Sequence, residues 1–176
     1  MLKTRRGFSL IELLIGLAVL AILLGLGVPS FMVWMQNTQI RNAADAVLNG
    51  MQLARSEAIR RNKTVTFTLT ERSGWTVQQS NPSVDIQKRS ADEGSAKVAV
   101  TPTPGGAYAV TFDSLGGRTD NPDGSTPIDS LGFKSLASSD SAVRPLIIMV
   151  GVSGTVRMCD PDPKLGTGDP RRCTPG

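Results

Sequence analysis

The chain has 176 residues, with 19 Lys and Arg against 15 Asp and Glu, two cysteines and no histidine. The missing imidazole removes the usual general base, every Ser-His or Cys-His nucleophile arrangement and, with so few cysteines, the common zinc sites; the serines lie mainly in Gly- and Pro-rich sequence, so no catalytic constellation and no cofactor is expected. Lys3, Arg5 and Arg6 supply three of the positive charges and Glu12 one negative, which leaves a net of about +2 beyond residue 35, too little for a basic field over the whole surface.

The N-terminus sets a short basic leader, Gly7 and a single carboxylate, Glu12, at the mouth of a long apolar run. The run goes from Leu13 through Val28 and continues through Pro29, Phe31, Met32, Val33 and Trp34 to Met35. A bilayer crossing needs roughly 20 mostly apolar residues and a secretory h-region only about 7 to 15, so the length predicts a membrane span. The small residues that a signal-peptide cleavage site would need (Ala18, Ala21, Gly25, Gly27) sit inside the run rather than after it. No basic residue occurs between Leu13 and Gln39, so the charge bias places the N-terminus in the cytoplasm and the rest outside. Burying an ionised carboxylate in hydrocarbon costs at least ~2.5 kcal/mol, which makes Glu12 a functional candidate; the structural alternative is a side chain that snorkels to the headgroups.

Residues 36–62 continue the same helix. Ile40, Ala43, Ala44, Val47, Met51, Ala54 and Ala58 recur at three- and four-residue steps and form one stripe, with Leu48 and Met51 read as core. Arg41, Asp45, Gln52, Arg55 and Asn62 take the opposite side. Arg55, Glu57, Arg60, Arg61 and Lys63 read as a solvated helix end, where cations meet the negative pole of the helix dipole.

From Thr64 the period changes to two. Val65, Phe67 and Leu69 alternate with Thr66 and Thr68, Ser73-Gly74 makes a turn, and Trp75 and Val77 begin a partner strand. Further strands are expected at Ser83 to Lys88, Lys97 to Thr101, Ala107 to Phe112, Leu131 to Ser135, Leu146 to Val150 and Thr155 to Cys159. These make two small, mostly antiparallel sheets with the helix across one face. The Asp-, Gly- and Ser-rich stretch Thr119 to Ser130 carries Asp120, Asp123 and Asp129 without a basic partner. Such spacing raises calcium as an alternative, but it departs from the EF-hand order, and the stretch reads as a flexible loop.

Cys159 and Cys173 fall in an extracytoplasmic tail, where an even count makes one disulfide the default. The segment between them has too little apolar content to order itself by burial. Arg157, Lys164, Arg171 and Arg172 lie around or within that loop, and Arg118 is expected to approach from the facing hairpin. Exposed Lys and Arg can contact phosphates without reading sequence; the structural alternative pairs them with Asp160, Asp162 and Asp169.

Gly7-Phe8-Ser-Leu-Ile-Glu12 resembles the type III signal of type IV pilins and of the pseudopilins of type II secretion. The resemblance implies that prepilin peptidase, a membrane aspartyl peptidase, cuts after Gly7 and that the new terminus Phe8 is N-methylated. It further implies that Glu12 neutralises the terminal amine of a neighbouring subunit. Pro29 is similar to a helix-kinking proline of such stems. Leu53-Ala-Arg-Ser-Glu-Ala-Ile-Arg-Arg-Asn-Lys-Thr-Val65, Thr111-Phe-Asp-Ser-Leu-Gly-Gly-Arg118 and Ile147-Ile-Met-Val-Gly-Val-Ser-Gly-Thr-Val-Arg157 resemble the FimT/GspH group of minor pilins and pseudopilins. The implied fold is α+β and pilin-like: a leader at 1–7, a transmembrane and filament-core helix at 8–35, its amphipathic half at 36–62, a β-rich head at 63–158 and a disulfide-closed loop at 159–176.

The implied function is that of a type IV pilus minor pilin at or near the filament tip, with a type II secretion pseudopilin as the alternative. The expected partners are other pilins, prepilin peptidase, the bacterial inner membrane with the head in the periplasm, and double-stranded DNA as a candidate ligand. Some FimT-like pilins are DNA receptors with a Gly-Arg-x-Arg motif near the C-terminus; here the stretch is Gly154-Thr155-Val156-Arg157, with threonine in place of the first arginine. The candidate DNA contacts are Arg118, Arg157, Lys164, Arg171 and Arg172.

Overall fold

The computed structural model describes residues 9–137 and 142–173; Gly7 and Phe8, and with them the expected cleavage and methylation site, lie outside the described residues. One helix, α1 (Leu10–Arg61, 52 residues), forms the spine, about 78 Å long at 1.5 Å per residue. Ser9 caps its start in extended conformation, its Oγ accepting from the Glu12 N–H at 3.3 Å. The helix runs through Pro29 without a break. It ends where Asn62 turns left-handed (φ 52°) and its N–H returns to the carbonyls of Ala58 and Ile59, a conformation that asparagine tolerates better than most residues.

Nine strands follow: β1 (Val65–Leu69), β2 (Trp75–Gln79), β3 (Val84–Arg89), β4 (Val98–Thr103), β5 (Ala109–Phe112), β6 (Arg118–Thr119), β7 (Ser130–Ser135), β8 (Leu146–Val150) and β9 (Val156–Cys159). They form two antiparallel sheets, one ordered β3-β2-β1-β5-β6 and the other β4-β7-β8-β9. The alternation expected after Thr64 appears as Phe67 facing Val77 on one neighbour and Val110 on the other. All three are fully buried.

The core lies between the helical stripe and both sheets. Ile40, Ala43, Ala44, Val47, Met51, Ala54 and Ala58 have no exposed surface, and they meet Val65, Phe67, Val77, Val110 and Phe112 of the first sheet and Leu131, Phe133 and Ile148 of the second. Small residues bring helix and sheet close. A Cβ at Gly50 would stand 2.8 Å from the Trp75 ring and 2.9 Å from that of Phe67, so this mid-helix glycine is required by packing.

Three expectations are corrected. Arg55 does not lie free on the solvent side: its Nε donates to the Gly116 carbonyl at 2.9 Å, because the long side chain reaches round the helix to the β5–β6 turn. Asp129 does have a basic partner, Arg118 at 2.5 Å, which β6 brings across. The stretch 119–130 is tied down from inside. Buried Asn121 donates to the Ala109 and Ser125 carbonyls and accepts from Thr111 Oγ1. Ile128 is fully buried beside it, and Asp123 accepts from the Tyr108 hydroxyl, which with Ser125 draws its carboxyl down to about 2.

Candidate functional site: a bare stem and the basic grooves of the head

The first half of α1 shows its apolar side chains to the outside. Leu10, Leu13, Leu17, Leu20, Leu23, Phe31 and Trp34 are all more than half exposed, and α1 is, among the described residues, the one helix long and apolar enough to cross a membrane. Glu12 stands in its first turn, three residues after the capping Ser9, where the positive helix pole favours a carboxylate. The second half carries charged groups that are bound locally. Glu57 accepts from Arg60 and Arg61 at 2.5 to 2.9 Å, and these two guanidinium groups, Arg60 first, hold its carboxyl near 2 instead of 4.5.

The five candidate cations do not form one patch. Arg118 and Arg157 line a groove of about 380 Å³ beside the β8–β9 turn, with Asp129, Met149 and Val152. Arg118 is largely committed there: besides Asp129, it donates to the Ile128 carbonyl, and its backbone N–H donates to Val152 O. This end of the hairpin packs on the far end of the stem, where Gly154 and Val156 share a depression with Gln52, Arg55 and Ile59. The contact is tight: Gly154 has φ +75°, and a Cβ there would fall 1.8 Å from the Gly116 carbonyl oxygen.

Lys164, Arg171 and Arg172 sit at the other end, in the tail. The Cys159–Cys173 disulfide closes it, with Cα atoms 4.9 Å apart. The Asp160 N–H donates to Arg171 O at 2.7 Å and the Cys173 N–H to Asp160 O at 3.3 Å, so the closing segment pairs with the residue after β9 as well as being stapled to it. Arg171 is bonded to Asp169 through two nitrogens at 2.8 and 3.1 Å, which draws the Asp169 carboxyl down to about 2. Arg172 donates to the Leu165 carbonyl at 3.4 Å. The side chains of Asp160 and Asp162 accept backbone N–H groups two residues on. The Arg–Asp pairing alternative thus appears at Arg171, while Asp160 and Asp162 cap turns.

Arg171 faces a groove of about 520 Å³ with two cations that sequence reading left out of the set, Arg41 and Arg144, together with Asn37 and Asp160. Arg144 also lines an adjoining groove of about 530 Å³ with Asp160, Asp162 and Lys164. Arg41 and Arg55 are separated by about 21 Å of helix at 1.5 Å per residue, so the two basic groups occupy opposite ends of the head. The Arg41–Arg144 proximity has no local signature: it is created by Asn37, whose side chain accepts from the Arg144 N–H at 2.8 Å and donates to Ala142 O at 3.2 Å. No group of acidic and cysteine side chains able to hold a metal occurs among the described residues.

A long helix, bare and apolar in its first half and roofed by two antiparallel sheets in its second, defines a pilin-like filament subunit. The model of the family described as type II transport protein GspH matches residues 43–172, and that of the prokaryotic N-terminal methylation motif matches residues 2–28. The chain belongs to the GspH family, a family of structural minor pilins and pseudopilins. The fold is similar to the type IV minor pilin FimU of Pseudomonas aeruginosa PAO1, at 13% identity and a TM-score of 0.53, over 71% of this chain and 91% of that one. It is equally similar to the minor pseudopilin EpsH of the type 2 secretion system of Vibrio cholerae, at 15% identity and a TM-score of 0.52, over 70% of this chain and 98% of that one. No curated protein sequence gives a significant match.

Proposed function

We propose that the chain is made as a prepilin, inserted in the inner membrane with its head in the periplasm, cut by prepilin peptidase after Gly7, methylated at Phe8 and built into a type IV pilus as a minor pilin at or near the tip. The observation that carries this reading is the unpartnered apolar half of α1, since so large an apolar surface is stable only against lipid or other helices. In the membrane that half spans the bilayer; in the filament it joins the helical bundle. Glu12 then offsets the terminal amine of a neighbouring subunit, which removes the cost of burying either charge alone. The test is Glu12→Ala in the full chain: membrane insertion stays at the wild-type level and incorporation into filaments falls at least tenfold. Normal incorporation sinks the role of Glu12.

A second reading, a pseudopilin acting in protein secretion, is supported by the match of residues 43–172 to the family described as type II transport protein GspH. Deleting the gene distinguishes the two, because loss of surface pili with normal secretion supports the first and the reverse supports the second. DNA binding by the head would rest on Arg157 and Arg118, which line one groove beside the β8–β9 turn. Salt-dependent binding of duplex DNA by the full chain, lost in Arg157→Ala, is the outcome that supports it.

A further inference from the structure

We infer that the stem-proximal end of the head holds the headgroup of a zwitterionic aminophospholipid, with Arg144 and Arg41 on the phosphate and Asp160 and Asp162 on the primary amine. The inference rests on the reading that the stem half of α1 spans the membrane.

Height above the bilayer comes first. The apolar run ends at Met35, and Phe31 and Trp34, exposed and with ring centroids 5.7 Å apart, stand where aromatic side chains mark a membrane interface. Asn37 is three residues beyond Trp34, about 4.5 Å along the axis. It grips both Ala142 O and the Arg144 N–H, so the turn at 142–145 is pinned at that height. Arg41 lies about 10 Å beyond Trp34, and side chains on a helix lean toward its N-terminus, which here is back toward the lipid. The headgroup layer is on the order of 5 to 8 Å thick, so both guanidinium groups are within its reach.

Charge pattern decides which headgroup fits. Of the four cations that border the two grooves, Arg41 is paired with Asp45 and Arg171 with Asp169, while Asp160 and Asp162 border the grooves with Arg144 and Lys164. A balanced patch of this kind is poorly suited to a purely anionic lipid and well suited to a ligand carrying both signs.

Arg41 and Asp45 are 3.8 Å apart and well exposed, a weak pair, and Arg171 is held by Asp169. Among the described residues the guanidinium of Arg144 has no hydrogen bond or ion pair. Arg144 and Asp160 border both grooves without pairing with each other. The two side chains offer one partner for a phosphate and one for an ammonium, the two charged groups that phosphatidylethanolamine carries. Phosphatidylcholine lacks the N–H donors and phosphatidylglycerol lacks the amine. The disulfide acquires a role here, since Cys159 borders the groove and its bond to Cys173 keeps Arg171 and the Asp160 turn in place.

The experiment uses the processed full chain in nanodiscs of equal phosphatidylethanolamine, phosphatidylcholine and phosphatidylglycerol, with native mass spectrometry counting the lipids retained on release. Retention of phosphatidylethanolamine at least fivefold over the other two is expected. Arg144→Gln lowers that retention roughly fivefold, the scale of one arginine at a lipid surface. Asp160→Asn with Asp162→Asn keeps the carbonyl oxygens that cap the turns yet removes the preference over phosphatidylcholine. Unchanged circular dichroism melting of each variant establishes that the head is intact.

Retention blind to the headgroup in an inserted chain overturns this proposal alone, and so does a preference for phosphatidylglycerol, which would indicate a purely cationic patch. A chain that never enters the disc overturns the membrane reading and this proposal together.

Discussion

The two halves of α1 are one uninterrupted helix in opposite situations. In the second half seven apolar residues at helical spacing are fully buried, and five of them are alanine or valine. In the first half leucine and isoleucine predominate and stand exposed on every side. Small residues belong where a sheet must lie close, as at Gly50, whose missing Cβ lets Trp75 and Phe67 reach the helix. Large residues all round belong where the neighbours are lipid tails or other helices. The element's length therefore has two origins: the head stabilises its own half, and stabilisation of the other half comes from outside the chain.

Substitutions in the head should separate these origins most sharply. Gly154→Ala forces a side chain into left-handed backbone and onto the Gly116 carbonyl, and a loss of more than about 3 kcal/mol is expected in denaturant unfolding of the full chain in micelles. Replacing Cys159 and Cys173 together by serine opens a loop of roughly 15 residues and lowers stability by about 3 kcal/mol in the chain-entropy treatment. The same loss under reductant in the wild-type chain checks that the bond, not the serine, is responsible. Arg55→Ala removes the charged donor on Gly116 O and costs about 1.5 kcal/mol; Arg55→Lys restores little of it, because one ammonium cannot reproduce the planar donor geometry.

Much of this arrangement was legible because it is periodic. The stripe from Ile40 to Ala58 and the alternation at Val65 to Leu69 are burial patterns written at spacings of 3.6 and 2, and β1 and β8 have the bounds expected for them. What escaped is made by single long-range bonds. The two-residue β6 has no pattern of its own and exists through its pairing with Thr111 and Phe112. The partnership of Arg118 with Asp129, the reach of Arg55 to Gly116 and the hold of Asn37 on Arg144 each depend on where the two sheets place a turn. Five cations that look like one cluster in the sequence accordingly separate to two ends of the head, and two others join them.

A smaller effect concerns the helix end. Glu57 titrates near 2 in the folded chain against an ordinary 4.5 because Arg60 and Arg61 donate to it. A depressed folded value means that its contribution is fully present above pH 4.5 and is lost as pH falls through about 2. Stability measured between pH 5 and 2 should therefore decline less steeply in Glu57→Gln than in the wild type; identical slopes would show that the pairs do not outlast solvent competition.

The smallest expected change is the most pointed test of the comparison. Leu17→Ala deletes as much apolar side chain as many core truncations, and the equivalent loss in a packed core costs about 2 to 5 kcal/mol. Leu17 is 61% exposed and touches nothing in the head, so denaturant unfolding of the head should be unchanged within error. Partition into vesicles should weaken by the transfer free energy of the deleted groups, about 2 kcal/mol or some thirtyfold. A large loss of head stability would mean that the two halves of the helix melt as one cooperative unit. An unchanged head with weakened partition would mean that the chain divides its apolar residues between a core of its own and one that only its surroundings can complete.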